Sequence, residues 1–244
     1  MRRARWCWAV MKFVCVIGNG GVGIGIGAPT HANASPGASL WTPATSASPS
    51  LATGQFALQV LATGDHLQQP FAIVDKRAAL LTVFGVDGQL LGSSPVLLGR
   101  DRGDHSVPGV GDRAQTRQLR PGDATTPAGR FQSAPGHNNT GESVVWLDHG
   151  LALAIHRLRP GATLADRAKR LTAHHVGRKR ISAGCVVVPV AFYERVVQPL
   201  LGRQPGVVYV LPERGLAVDV LQPVLQPVAP FAAIGTATLR PTLR

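Results

Sequence analysis

The amino-acid sequence predicts a mainly β fold with a few helices. Short apolar runs rich in Val, Ile, Leu and Phe recur between residues 71 and 220. Two turns carrying an Asp and a Gly join pairs of these runs, and only two stretches repeat apolar residues at helical spacing.

Residues 71–74 and 79–84 read as the first two strands. Val86-Asp87-Gly88 turns the chain into the apolar pair Leu90-Leu91 and then 96–98, because Asp-Gly between apolar runs is a hairpin signal. Residues 143–147 and 151–156 flank Asp148-His149-Gly150 as a second hairpin. In its second strand Leu151, Leu153 and Ile155 point to one face, and Ala152, Ala154 and His156 to the other. Residues 185–188 form a short buried strand, and 207–211 and 216–220 complete the sheet. Two helices interrupt it. Residues 163–174 place Leu164, Ala168 and Leu171 at helical spacing, continuing to His175, with Thr163 as N-cap. After Pro189, suited to a first helical position, Phe192, Val196 and Leu200 form a stripe that packs behind the 185–188 strand.

Around this domain, 66–220, the composition changes. Residues 1–34 read as a secretory signal peptide. Arg2, Arg3, Arg5 and Lys12 precede an apolar, glycine-rich stretch, and Ala32-Asn33-Ala34 offers a cleavage site. That stretch is too short and too weakly apolar for a retained bilayer anchor, so no stable membrane insertion is expected after cleavage. Residues 35–65 are taken as a low-complexity linker, on the Ser/Pro/Ala/Thr-rich composition of their first two-thirds. Residues 221–244 open with a repeated Gln-Pro-Val motif and read as a proline-rich tail.

The chain has a formal charge of +12. Four of its 25 basic and none of its 13 acidic residues precede Ser35, which leaves a formal +8 on the exported part. Such an excess favours anionic partners, and in an exported protein a wall polymer outranks nucleic acid. No nucleic-acid motif is present, and aromatics at 5% offer few stacking platforms.

Loss of the leader removes Cys7 and Cys15 and leaves Cys185 alone, so the mature chain is not a disulfide scaffold. A structural cysteine is expected inside an apolar run. Cys185 instead follows Ser182-Ala183-Gly184 at the mouth of a strand, where Gly184 lets another group approach the backbone, as a nucleophile needs. Its base must lie elsewhere in sequence. His156 ends a strand whose neighbours on the same face are alanines, which leaves room for a site. His174 and His175 close a helix and read as capping or solvated, and His149 lies in a turn. Adjacent histidines diverge along a helix, and no H-x-x-x-H or C-x-x-C spacing occurs, so neither a metal nor another cofactor is expected.

With these residues in place, the chain resembles the L,D-transpeptidase catalytic domains (YkuD-type) of peptidoglycan cross-linking enzymes. The opening hairpin from Ala72 to Phe84, with Asp87-Gly88 and the run from Pro95 to Gly99, carries the first part of the resemblance. Thr125-Thr126-Pro127-Ala128-Gly129-Arg130-Phe131 is similar to the family's T-P-x-G-x-F segment. Ala154-Ile155-His156 and the stretch from Arg180 to Cys185 are similar to its base strand and S-H-G-C motif. The resemblance implies a sandwich-like fold. It also implies a Cys185 thioester formed on a peptidoglycan stem peptide with loss of the terminal D-residue. An amine then takes the acyl group to form an L,D cross-link, or water takes it and trims the stem. It further implies His156 as base and acid, the carbonyl of Arg157 orienting its imidazole, N–H groups around Gly184 and Cys185 holding the oxyanion, and Ser182 supporting the loop.

Two positions depart from the family pattern: Ala183 stands where histidine is common, and Val187 where Arg or Asn is usual. The 156–185 stretch is also longer than usual, with a helix and Arg178-Lys179-Arg180 inserted. Two further readings therefore stay open, a catalytically silent basic wall-binding module and a hydrolase that cuts a wall link through the same thioester.

Overall fold

The computed structural model describes residues 47–221. The expected leader, the first part of the linker and nearly all of the proline-rich tail lie outside them.

Two sheets face each other. The first has the order β3-β2-β1-β11-β5 and the second β10-β8-β7-β6, with a separate pair, β4-β9. In chain order the strands are β1 Phe71–Asp75, β2 Leu80–Phe84, β3 Leu90–Pro95, β4 Leu98–Gly99, β5 Gly129–Gln132, β6 Ala134–His137, β7 Ser143–Asp148, β8 Leu153–Arg157, β9 Arg180–Ser182, β10 Val186–Val188 and β11 Val207–Val210. The sandwich is the expected mainly β architecture. Alternation along each strand supplies its filling. Ala72, Val74, Leu81, Val83, Val208 and Val210 from the first sheet meet Val145, Leu147, Leu153, Ile155, Val186 and Val188 from the second. Leu151 packs on the same core, as its predicted face requires. Both hairpins form at the predicted places, β2–β3 through Gly88 at φ 81° and β7–β8 through residues 149–152.

The outer face of the first sheet is apolar too, and it corrects the linker reading. Residues read as low-complexity linker form α1, Leu51–Thr63. Thr53, Phe56, Ala57 and Val60 make its buried stripe, at i, i+3, i+4 and i+7. Ser50 caps it by accepting from Thr53 N at 3.1 Å, and Gly64 ends it in the left-handed conformation. Phe56 packs edge-on to Tyr209 of β11 at 5.3 Å, over Phe71 and Ile73 of β1. Phe56→Ala is expected to lower the unfolding free energy by about 3–5 kcal/mol, seen as a lower urea midpoint. A change within error would mean that α1 is not docked on the sheet.

The second predicted helix opens at Pro189 as its N-cap, and not as the first helical residue. It runs through Val190–Phe192 as α4 and continues in π geometry over Tyr193–Gly202. Pro199 inside it lacks an N–H, in keeping with the wider turn. The wider turn shifts the buried stripe to Phe192, Val196-Val197 and Leu201, with Leu200 only partly buried, and the helix packs on β6–β8.

The expected strand at 216–220 is instead a 3₁₀ turn, Ala217–Val220, in which Leu216 and Val218 stay exposed. Ala217 and Val220 reach the cluster under α1 one-sidedly, and Asp219 accepts from Leu216 N at 3.1 Å, which closes a local turn instead of a ladder. The predicted 163–174 helix is the shorter α3, Leu164–Leu171, and Thr163 caps it in position only, without a side-chain bond. A short α2, Val110–Gln115, and strands β5, β6 and β9 have no counterpart in the sequence reading.

Candidate active site

The outer face of the second sheet brings the cysteine and histidine together. Strands β8 and β10 pair in parallel, with Val187 opposite His156. Val187 and, two residues earlier, Cys185 therefore share the face that His156 occupies, whereas Ile155, Val186 and Val188 point into the core. Cys185 lies just before the first residue of β10, diagonal to His156. Both side chains line one cavity of about 540 Å³ with Arg159, Arg167, Ile181 and Ser182. A larger cavity, about 1030 Å³, lies among residues 102–105, 128–130 and 212–221 and holds no cysteine.

His156 is buried, 7% exposed, and not on an open face as its alanine neighbours suggested; the cavity supplies the room instead. Its Nδ1 lies 2.8 Å from the carbonyl oxygen of Arg157. A carbonyl only accepts, so the neutral ring carries its proton on Nδ1 and presents a lone pair at Nε2. Burial, and then the charge of Arg159, push the imidazole down to about 4, although the bond to Arg157 favours the protonated ring. Near neutral pH the ring is an uncharged base.

Burial pushes the Cys185 thiol up; the N–H of Ala154, the charge of Arg159 and the N–H of Cys185 itself oppose it. The Sγ donates to the carbonyl of Ala152 at 3.4 Å. The resting pair is thiol and imidazole.

The loop before Cys185 is held from three sides. Ser182 Oγ donates to Cys185 O at 2.6 Å and accepts from Gly184 N at 3.2 Å. Thr126 Oγ1 donates to Gly184 O at 2.7 Å while accepting from Gly99 N at 2.9 Å. Gly184 has φ 129°, and a Cβ there would lie 3.0 Å from the carbonyl oxygen of Thr125. One expectation changes here. The Gly184 N–H is taken up by Ser182 and is not a free oxyanion donor, whereas the Cys185 N–H lies against its own thiol. Thr126 had no role in the sequence reading, although its Thr-Pro segment stood out.

Arg157 meets His156 through its backbone carbonyl. Its guanidinium lies at the surface, 3.4 Å from Glu142 and 3.0 Å from Glu194. Arg157→Ala is expected to change turnover less than about tenfold, because exposed ion pairs contribute about 0–1 kcal/mol. A loss approaching that of a base deletion would show that the side chain acts in the site.

His175 accepts from Gly177 N at 3.2 Å and caps the 3₁₀ turn Val176–Lys179, and His149 packs on Trp146 with tilted rings 4.4 Å apart. Among the described residues no cluster of three His, Cys, Asp or Glu could hold a metal, and no helix is long and apolar enough to cross a membrane.

No protein-family model matches the sequence, and no curated protein matches it. Several solved structures similar to the chain are L,D-transpeptidases. The L,D-transpeptidase of Xylanimonas cellulosilytica is 18% identical with a TM-score of 0.35, over 58% of this chain and 60% of that one. The catalytic domain of the E. faecium L,D-transpeptidase is 16% identical with a TM-score of 0.32, over 60% of this chain and 99% of that one. The helical cell shape determining protein Pgp2 of Campylobacter jejuni is 14% identical with a TM-score of 0.39, over 66% of this chain and 56% of that one. The chain thus spans about three-fifths of the Xylanimonas chain, which comprises residues 123–326 of its protein.

Proposed function

We propose that this protein is an exported cysteine acyltransferase of peptidoglycan stem peptides. The observation that carries the reading is the Nδ1 bond from His156 to Arg157 O, which leaves Nε2 as a base in the cavity that holds Cys185. His156 Nε2 takes the thiol proton as Sγ bonds to the carbonyl carbon of the residue before the terminal D-residue. The Cys185 N–H, which lies against the attacking sulfur, stabilises the oxyanion. Collapse breaks the C–N bond, His156 returns the proton to the leaving amine, and a thioester remains. An acceptor amine or water, deprotonated by His156, then attacks that carbonyl and releases Cys185 as thiol. An amine gives an L,D cross-link, and water gives trimming or hydrolysis. The basic leader with its Ala32-Asn33-Ala34 site supports export to the cell envelope.

The test is intact-mass spectrometry of wild-type protein with a tetrapeptide-stem muropeptide. An adduct equal to the donor less its terminal residue is expected, followed by cross-linked or trimmed product. The raised, protonated thiol favours a second reading, a silent basic wall-binding module. Retention on isolated wall material without any adduct would select it.

A further inference from the structure

The cavity over Cys185 has a roof that catalysis as proposed above does not use. Thr163, Asp166, Arg167 and Arg170 recur at i, i+3, i+4 and i+7 and all line it, so one flank of the α3 region faces the thiol. Arg159 joins them from just beyond β8. These lining residues carry three guanidiniums against one carboxylate, and the carboxylate is already engaged: Asp166 Oδ2 accepts from Arg170 Nε at 2.8 Å. Arg159 Nε lies 2.7 Å from Glu142 Oε2, yet its N–H is not aligned on that oxygen. Arg167 has no carboxylate partner among the described residues, and its Nε is buried without an acceptor. Burial and the neighbouring Arg159 charge both disfavour its protonated form. Two guanidiniums that repel each other in a half-buried cavity, with donors unfilled, are costly to hold unless an anion sits between them.

We infer that Arg167 and Arg159 form a carboxylate-binding clamp that seats the acyl donor over Cys185. The planar fork of arginine suits a carboxylate, and the cavity places that group beside the nucleophile. The inference rests on the proposed reading for the donor's identity, but not for the clamp. A stem-peptide donor offers two sources of the same chemistry, the carboxylate of the departing terminal residue and a side-chain carboxylate.

The clamp is tested first without peptide, by alkylating Cys185 with anionic iodoacetate and neutral iodoacetamide. Relative to a free cysteine peptide, wild-type protein should favour iodoacetate. Arg167→Gln should lower that preference roughly tenfold or more, in keeping with charge-assisted hydrogen bonds, and Arg159→Gln should act in the same direction. Arg167→Lys should keep part of the preference, because it retains charge and loses the fork. The Arg167 variants break no side-chain bond of the fold, and a urea midpoint near wild type verifies this. A preference unmoved by both Gln variants overturns the clamp.

Donors amidated at the terminal or at the side-chain carboxylate then identify the source. The carboxylate held by the clamp is the one whose amidation lowers kcat/KM in wild type but not in Arg167→Gln. Equal penalties in both proteins overturn the clamp while leaving the acyltransferase standing. Iodoacetate preference with no acylation by any donor keeps the clamp and defeats the peptidoglycan reading.

Discussion

Cys185→Ala should abolish acyl-enzyme formation outright. The side chain of Cys185 is the one thiol among the described residues, and the cavity around His156 holds no other group able to form a stable thioester. Ser182, whose hydroxyl lies on the cavity wall, is occupied: its oxygen donates to Cys185 O and accepts from Gly184 N. Mass spectrometry with a tetrapeptide stem should show no adduct and no product, while the melting temperature stays close to wild type. A Cys185→Ala protein that still trims or cross-links stem peptide would defeat the reading completely.

His156→Ala should cost roughly two to four orders of magnitude in turnover, the usual contribution of a positioned acid–base group. The loss should be severe because burial holds the thiol protonated, so nothing else in the cavity generates thiolate near neutral pH. Alkylation of Cys185 by iodoacetamide should slow in the same variant. The pH dependence carries a sign. The base must be neutral, and its pKa is lowered from 6.5 to about 4, so the acid limb of kcat/KM should fall near pH 4 and not near 6.5. Stability follows from the same shift. Between pH 6.5 and 4 the unfolded chain binds a proton that folded His156 refuses, so stability falls as pH falls through that window. The total contribution is about 3 kcal/mol. His156→Ala should remove this component from a urea-midpoint series against pH. An acid limb at the ordinary histidine value, unchanged in the variant, would mean that His156 is not the titrating base.

Strand periodicity makes much of the fold legible in the sequence alone. The alternation of Leu151, Leu153 and Ile155 against Ala152, Ala154 and His156 places the first set in the core and His156 on the opposite face, as the structure shows. The helix α1 was legible too, from Ser50, the Phe56-Ala57-Val60 stripe and Gly64, but the surrounding Ser/Pro-rich composition concealed it. The turn at 217–220 was not legible, because a short apolar run reads alike whether it pairs with a neighbour or merely caps a cluster. The roof of the cavity appeared in sequence only as an insertion. Its arginines became interpretable once one flank of α3 was seen to face Cys185.

The sequence by itself determined the local chemistry: a cysteine beside a glycine, a histidine whose same-face strand neighbours are alanines, and the alternation that fills a sandwich. These are set by side-chain identity and by the two-residue period of a strand, both local quantities. The tertiary structure decided how that chemistry is tuned. Parallel pairing of β8 with β10 brought residues 29 positions apart onto one face. Burial made the resting pair neutral, Ser182 took the Gly184 N–H, and α3 set the guanidinium of Arg167, without a carboxylate partner among the described residues, at the cavity of the thiol. Desolvation, hydrogen-bond competition and charge proximity depend on distances between residues remote in the chain, and only the folded arrangement specifies them.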